Sequence, residues 1–351
     1  MLRLACSGHR RLVQSIPGSL NATFAGSESN VAAALARFGH AVRFITALPN
    51  SFVGEACLSS LRSEGIDVSR IVMREDARLG QFYVESGANQ RPTRIQYDRA
   101  GSAVSLTRGE EYDWPAIMAD AGWLHVSGIT PAISRTAFRA TRMALEAARQ
   151  VGVRISMDVN FRSALWRWDN SLEPLELAAQ SLRELLPMVD VLFTGIGDTE
   201  LLGVRLPTER DDDADPLVAF CGDVVSAFPQ VRYIAVSLRE QQSASSNNYG
   251  CGLYDARTKT LLKAPLHDGE YRPWSIGQII DRVGAGDAFA AGLLRGLSER
   301  WDDAPDNLQQ VLEFATAAGC LAHSIEGDIL YATVDEIDRM LAGDTTGRVQ
   351  R

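Results

Sequence analysis

The sequence predicts an α/β protein in which a mostly parallel central sheet lies between helices, and three observations predict it. Strand-length apolar runs alternate with helical periodicities over most of the chain. Between Leu79 and Ala103 that rhythm is interrupted by two β-like segments, a sheet excursion inside an α/β chain. The distinctive polar residues fall just after strands, where open α/β sheets bind their ligands. They are Asp158, Asn160 and Arg162, then Asp198 and Glu200, then Ser237 and Arg239.

A chain of 351 residues can bury a substantial core, and 46% hydrophobic with 23% charged residues is ordinary for a globular protein. A net charge of −9 argues against nucleic acid as a partner, since no broad face would neutralise phosphates. A small anionic ligand is still compatible, because single arginines can be placed locally. The five cysteines are scattered without a Cys-x-x-Cys pair, so neither a disulfide framework nor a zinc site is expected. No apolar run reaches the roughly 18 residues of a membrane span. Nor do the opening residues resemble a signal peptide. A reducing cytoplasm is therefore the expected compartment.

Taken in order, the first twenty residues offer at most a short strand and a basic loop. Val31, Leu35 and Phe38 then share a helical face, Gly39 ends that helix, and Val42 to Leu48 reads as a buried strand. A second helix runs roughly from Gly54 to Glu64 and stops at Gly65. QFYVES and TRIQYD are the two β-segments, separated by the turn-rich GANQRP. WLHVSG, a helix from Ser134 to Gln150, and VRISMDVN resume the rhythm. A helix around Leu175 to Leu186, VDVLFTG, a helix around Leu217 to Phe228, and RYIAVSL continue it. Gly250 to Ala264 reads as a hairpin. Helices from Asn307 to Ser324 and from Val334 to Leu341 close the chain. The acidic run at 211–215 reads as a solvated loop before a helix.

One stretch carries chemistry of its own. In DRVGAGDAFAAGLLRGL, Gly284, Ala285 and Gly286 lack bulk, Asp287 follows at once, and Phe289, Gly292, Leu293, Gly296 and Leu297 recur at helical spacing. Such a turn leaves backbone N–H groups without intrahelical partners at the positive end of a helix, which makes an anion site. A carboxylate beside an anion site is unfavourable unless it works. The work that fits is general base, removing a hydroxyl proton while the N–H groups hold charge on a transferring phosphoryl group. A dinucleotide fingerprint is excluded, because Phe289 stands where it needs Gly or Ala. A Walker loop is excluded as well, because no Gly-Lys-Ser/Thr ending occurs.

The whole string resembles the C-terminal signature of the ribokinase-like (PfkB) carbohydrate kinases, Asp-Thr-Xaa-Gly-Ala-Gly-Asp-Xaa-Phe, with Arg282 in place of the Thr. The resemblance runs from about Leu2 to the end, and within the family is strongest to the 2-keto-3-deoxygluconate kinases. It implies a three-layer α/β/α fold with a small β-lid, residues 1–351 forming one kinase domain with lid segments at about 3–22 and 78–105. AGSESNVA from Ala25 is similar to the family's Gly-Gly-Ala-Glu-Xaa-Asn-Val-Ala, so Gly26 and Asn30 inherit contacts to sugar hydroxyls. The lid strand supplies Tyr97 and Arg99, and the Asp-Xaa-Asn-Xaa-Arg block supplies Arg162 for a substrate carboxylate. An arginine fork suits a carboxylate on physical grounds too; the alternative for Arg162 is a structural salt bridge at a strand end.

The resemblance further implies ATP as phosphoryl donor, Mg²⁺ as metal, Asp287 as catalytic base assisted by Gly284, Ala285 and Gly286, and a homodimer through the lid. Two departures bear on this. Where the family has Asn-Xaa-Xaa-Glu near the metal, this chain has Gly195 and Asp198, with Glu200 nearby. Where it has Thr-Xaa-Gly on the nucleotide side, this chain has Ser237 and Arg239. The expected activity is phosphorylation of the terminal hydroxyl of a sugar acid. The rivals are a kinase for a neutral sugar or nucleoside, and a catalytically silent sugar- or nucleotide-binding regulator. Finally, relatives open on an apolar strand ending in Gly-Glu ahead of the segment matched by MLRL. The first family strand is therefore expected to be absent, with the chain shortened or the natural start upstream. Losing its buried side chains would cost about 1.5–3 kcal/mol each. Met1 to Leu4 should then lie toward the lid, beside a strand-wide gap in the main sheet.

Overall fold

The computed structural model describes residues 1–205, 215–301 and 305–344. It opens with Leu2–Ala5 (β1), which pairs antiparallel with Asn21–Phe24 (β2). Ala47–Pro49 (β3) and Val72–Arg74 (β4) form a separate parallel pair. Gln81–Glu85 (β5) lies parallel to β1 and antiparallel to Arg94–Asp98 (β6), completing a four-stranded sheet in the order β2-β1-β5-β6. Its alternation is plain in β5, where Phe82 and Val84 turn inward onto Ala5 and Ala25.

The main sheet is built from Trp123–Ser127 (β7), Arg154–Asp158 (β8), Val191–Thr194 (β9) and Tyr233–Ser237 (β10), all parallel. Glu240–Gln241 (β11) and Asn247–Tyr249 (β12) belong to a small sheet beside it. The hairpin Cys251–Asp255 (β13) and Thr260–Ala264 (β14) extends the main sheet antiparallel beyond β10. Val191, Phe193, Tyr233 and Ala235 enter one apolar cluster, whereas Leu192, Ile234 and Val236 enter another. That alternation makes β9 and β10 strands buried on both faces. Helices Arg135–Gln150, Pro174–Leu185 and Pro216–Ala227 cover the second cluster; Ser27–Arg37, Ala285–Glu299 and Pro305–Ala322 cover the first. The result is the expected three-layer α/β/α arrangement with a small accessory sheet.

Local chemistry explains the boundaries. Ser51 and Ser134 accept N–H bonds at the starts of Phe52–Ser63 and Arg135–Gln150. Gly65, at φ +79, takes the left-handed turn after the first of these. Residues 211–214 of the acidic run lie outside the described residues. Asp215 caps the next helix and pairs with Lys263. No helix among the described residues is long and apolar enough to cross a membrane.

The strand expected over Val42 to Leu48 needs correction. Only Ala47–Pro49 is a strand, with an isolated bridge at Arg43 to Asp67. Those residues are held from one side alone. β1 lies in the four-stranded sheet, and the main sheet ends at β7. Between β7 and residues 41–48 lies a cavity of about 590 Å³, so a gap stands where the sequence led us to expect one.

Sequence reading missed the anchor of β1. Arg3, 3% exposed, takes an inward strand position and pairs with Asp281 and Asp328. Burial pushes the Asp328 carboxyl up to about 6, against the pull of Arg3. Arg3→Met is expected to cost about 3–5 kcal/mol of unfolding free energy at neutral pH, because it strands buried carboxylates. The deficit should shrink as pH falls through 6, since protonated Asp328 no longer needs a cation. Urea melts at pH 7.5 and pH 5 check both parts; equal stability to wild type at pH 7.5 would refute them.

Candidate active site

The turn before helix Ala285–Glu299 is shaped by one glycine. Gly284 has φ +88, and a Cβ there would sit 2.0 Å from the Asp328 carbonyl oxygen. Val283 N–H donates to Asp281 Oδ1 at 3.1 Å, tightening the approach. The first helical bond runs from Ala288 N–H to Gly284 O at 2.8 Å. The N–H groups of Ala285, Gly286 and Asp287 therefore have no acceptor within the helix. Gly286 is exposed, and nothing lies within 4 Å of where its Cβ would be.

Asp287 is 9% exposed at the foot of this turn. Its Oδ1 accepts from Ser27 Oγ at 2.9 Å and its Oδ2 from Asn30 Nδ2 at 2.7 Å. Burial pushes its carboxyl up to about 6, although the Asn30 and Ser27 bonds pull the other way. Asn160 Nδ2 in turn donates to Ser27 Oγ at 3.1 Å. Asn30 also positions the base: its oxygen takes the Gly26 N–H at 3.1 Å while its nitrogen holds Asp287.

Around Asp287 opens a cleft of about 670 Å³. It is lined by Gly26, Asn30, Tyr97, Arg99, Arg162, Asp198, Ser237, Arg239, Ala285, Gly286 and Asp287, so most residues singled out from sequence converge. Gly284 shapes the turn from outside that lining. Glu200 is exposed and does not line the cleft.

At one end stand two guanidinium groups. Arg99 lies 5.0 Å over the Tyr97 ring, its Nε is buried without a partner, and burial lowers its pKa to about 10, leaving it charged near neutrality. Arg162 is exposed, and its Nη1 donates to its neighbour Phe161 O at 2.8 Å. Among the described residues neither makes an ion pair, so the salt bridge considered for Arg162 is not formed. At the other end, Arg282 Nη2 is anchored to the carbonyls of Ala244 at 2.7 Å and Ser243 at 3.1 Å, close to Arg239 and Ser237. Asp198 Oδ2 accepts from the Thr194 hydroxyl at 2.9 Å and the Gly195 N–H at 3.1 Å, and burial raises its pKa.

Three further cleft residues had been assigned no role from sequence: Ser27, Asp158 and Arg282. Asp158 is pushed up to about 7, first by burial and then by the nearby Asp287 charge. AGSESNVA and the Asp-Xaa-Asn-Xaa-Arg block flagged the neighbourhoods. The pairing of Ser27 with Asp287 joins positions 260 apart, which no local pattern encodes.

Residues 3–234 and 256–333 match the model described as pfkB family carbohydrate kinase. A Haloferax volcanii protein named 2-dehydro-3-deoxygalactonokinase is 31% identical over 94% of this chain and 91% of its own length. The Bacillus subtilis 2-dehydro-3-deoxygluconokinase is 27% identical over 87% of this chain and 82% of its own. The crystal structure of the 2-dehydro-3-deoxygluconokinase of Thermotoga maritima superposes with a TM-score of 0.86 at 33% identity, covering 98% of this chain and 97% of that one.

Proposed function

We propose, on the premise that this chain belongs to the pfkB family of carbohydrate kinases and is a carbohydrate kinase, that it moves the γ-phosphoryl group of ATP to the terminal hydroxyl of 2-keto-3-deoxygluconate. The observation that carries the acidic acceptor is the pair Arg99 and Arg162. Two cations that face the cleft and make no ion pair among the described residues favour an anionic ligand, and their forks suit a carboxylate. A neutral hexose or a nucleoside would leave them without a partner. The names of similar proteins point the same way, and they include both the gluco and the galacto acid.

Each residue then has a defined task. Asp287 takes the proton of the attacking hydroxyl, with Ser27 and Asn30 fixing its two oxygens. The N–H groups of Ala285 to Asp287 face the charge that develops on the phosphoryl oxygens. Arg239 and Arg282 give the donor end a positive field that suits polyphosphate. The sheet bearing Tyr97 and Arg99 covers the acceptor and keeps out competing water.

The family also implies Mg²⁺, and the donor set fits an ion held mainly by phosphates. Asp198 offers one carboxylate in the cleft, and no cluster of three metal-binding side chains occurs among the described residues. When bound, the ion neutralises phosphate charge. Gly195 stands where the family places asparagine. Its φ of −155 suits any residue, and a Cβ would meet only Val236 Cγ1 at 4.0 Å. Gly195→Asn should therefore fold normally and lower the Mg²⁺ concentration for half activity. An unchanged requirement, together with an indifferent Asp198→Ala, would place the ion elsewhere.

The activity itself is tested by ADP release over a panel of sugar acids, ketoses and nucleosides. Both 2-keto-3-deoxy six-carbon acids belong in it, because they differ in one hydroxyl configuration. Highest kcat/KM with a 2-keto-3-deoxy acid supports the proposal. Preference for a neutral ketose or a nucleoside overturns it, and nucleotide binding without turnover would favour a silent regulator.

A further inference from the structure

The accessory sheet is tied at its tip to the donor side of the cleft. Strands β5 and β6 are joined through a tight turn. Ala88 N–H donates to Arg91 O at 3.0 Å, Arg91 N–H donates to Ala88 O at 2.9 Å, and Asn89 between them takes φ +50. A Cβ on Gly87 would sit 2.5 Å from Arg91 O, so the two arms of the tip run in contact. From this tip Asn89 reaches the turn between β11 and β12. Its N–H donates to Ser245 Oγ at 2.9 Å, and its carbonyl accepts from Ala244 N–H at 2.7 Å. Ser243 knits that turn together, its Oγ accepting from Ser245 N–H and Ser246 N–H, both at 3.0 Å.

The segment that leads into the anion turn holds the same loop. Ile279 N–H donates to Ser245 O at 2.8 Å, and Arg282 Nη2 reaches the carbonyls of Ala244 at 2.7 Å and Ser243 at 3.1 Å. All three carbonyls of residues 243–245 are thus taken by residues 279 and 282. Two positions beyond Arg282 stands Gly284, where the anion turn begins. Arg282 is half-buried and lines the cleft, and among the described residues its Nε and Nη1 bond to nothing. Arg239 lines the cleft as well, and burial first, then that like charge, lower the Arg282 pKa. With no anion present the Arg239 charge works against the place that Arg282 occupies. A bound polyphosphate turns that repulsion into attraction and fixes the fork that holds the two carbonyls.

We propose that Arg282 is a positioning residue that couples the donor to the accessory sheet. The polyphosphate of the bound nucleotide fixes its guanidinium, and the guanidinium fixes the turn at 243–245. That turn holds Asn89, and with it the strand pair that carries Tyr97 and Arg99 over the acceptor. Because coupling is reciprocal, the acceptor tightens the nucleotide by the same factor. This gives a task to the residue at which the string departs from the family signature. The inference rests on the kinase reading for its nucleotide, and not on which acid is the acceptor.

The first measurement uses no acceptor. Saturating β,γ-imido ATP with Mg²⁺ is expected to slow amide exchange at Asn89 and Ala244 by about tenfold. Arg282→Lys keeps a charge at the donor end, but its single nitrogen cannot serve two carbonyls and a phosphate together. That variant should bind the analogue within about threefold of wild type and lose the slowing at both amides. Equal slowing in the variant, or none in wild type, would overturn the proposal. The second measurement takes whichever compound of the acceptor panel has the highest kcat/KM. Its affinity should rise by about tenfold when the analogue is bound to wild type, and by less than about twofold in Arg282→Lys. Ser245→Ala tests the tie apart from the arginine, since Ser245 lies outside the cleft lining and each ligand alone should bind as in wild type. Loss of the coupling in Ser245→Ala supports the latch, and full coupling there would overturn it. A neutral compound at the head of the panel would sink the acidic acceptor and leave the amide measurement to decide the latch.

Discussion

Asp287→Asn is expected to retain nucleotide binding and to lower turnover by about two to four orders of magnitude. The substitution removes the proton acceptor while keeping the side chain's size and its place beside Ser27 and Asn30. It also carries a pH signature. Burial holds the Asp287 pKa up at about 6, and only the deprotonated carboxylate acts as base. In wild type kcat/KM should level off above pH 6 and fall tenfold per unit below it. The Asn variant should lose that limb together with its rate. The fold should survive, because an amide has no buried charge to desolvate. Near-normal turnover in a folded Asn variant, or an unchanged acid limb, would remove Asp287 from the mechanism.

Arg162→Ala should weaken the acidic acceptor by about 2–5 kcal/mol, the scale of breaking a charge pair that the bound ligand buries. Arg162 is exposed and makes no ion pair among the described residues, its charge reaching Asp158 and Asp198 without direct contact, so stability should change much less than on losing Arg3. This separates it from Arg3, whose loss strands two. The loss should appear in KM for the sugar acid, while an analogue lacking the carboxylate loses much less. Equal losses for both would make Arg162 a general shaping residue. Arg99, stacked over Tyr97, should preserve part of the preference in the variant.

Much of this was legible because it is local. The helix read over Val334 to Leu341 has those bounds, with Thr333 as its cap, and the hairpin read over Gly250 to Ala264 is the β13–β14 pair. The GAGD turn was legible as a helix start with free N–H groups, because small residues followed by helical periodicity mark one locally. What escaped depends on distant partners. Val42 to Leu48 has the composition of a buried strand, yet only Ala47–Pro49 pairs regularly, with β4, while the other side of the segment faces the cavity. Nothing local marks Arg3 as the partner of Asp281 and Asp328, which lie 278 and 325 positions away. Asn30, assigned to the sugar through the family resemblance, lines the cleft and also holds Asp287, a contact 257 positions away that no local pattern encodes. Glu200 was chosen for its place near Asp198 in sequence, but the short helix Thr199–Leu202 carries it away from the cleft.

The central claim joins Asp287 at the anion turn to a carboxylate-bearing acceptor at Arg99 and Arg162. The measurement that meets it most directly is the identity of the product, read by phosphorus-31 and carbon-13 NMR after incubation with ATP and 2-keto-3-deoxygluconate. The account predicts a single monophosphate ester on the terminal carbon, with one ADP formed for each ester. A phosphate on any other oxygen, or ADP release without a sugar ester, would contradict it.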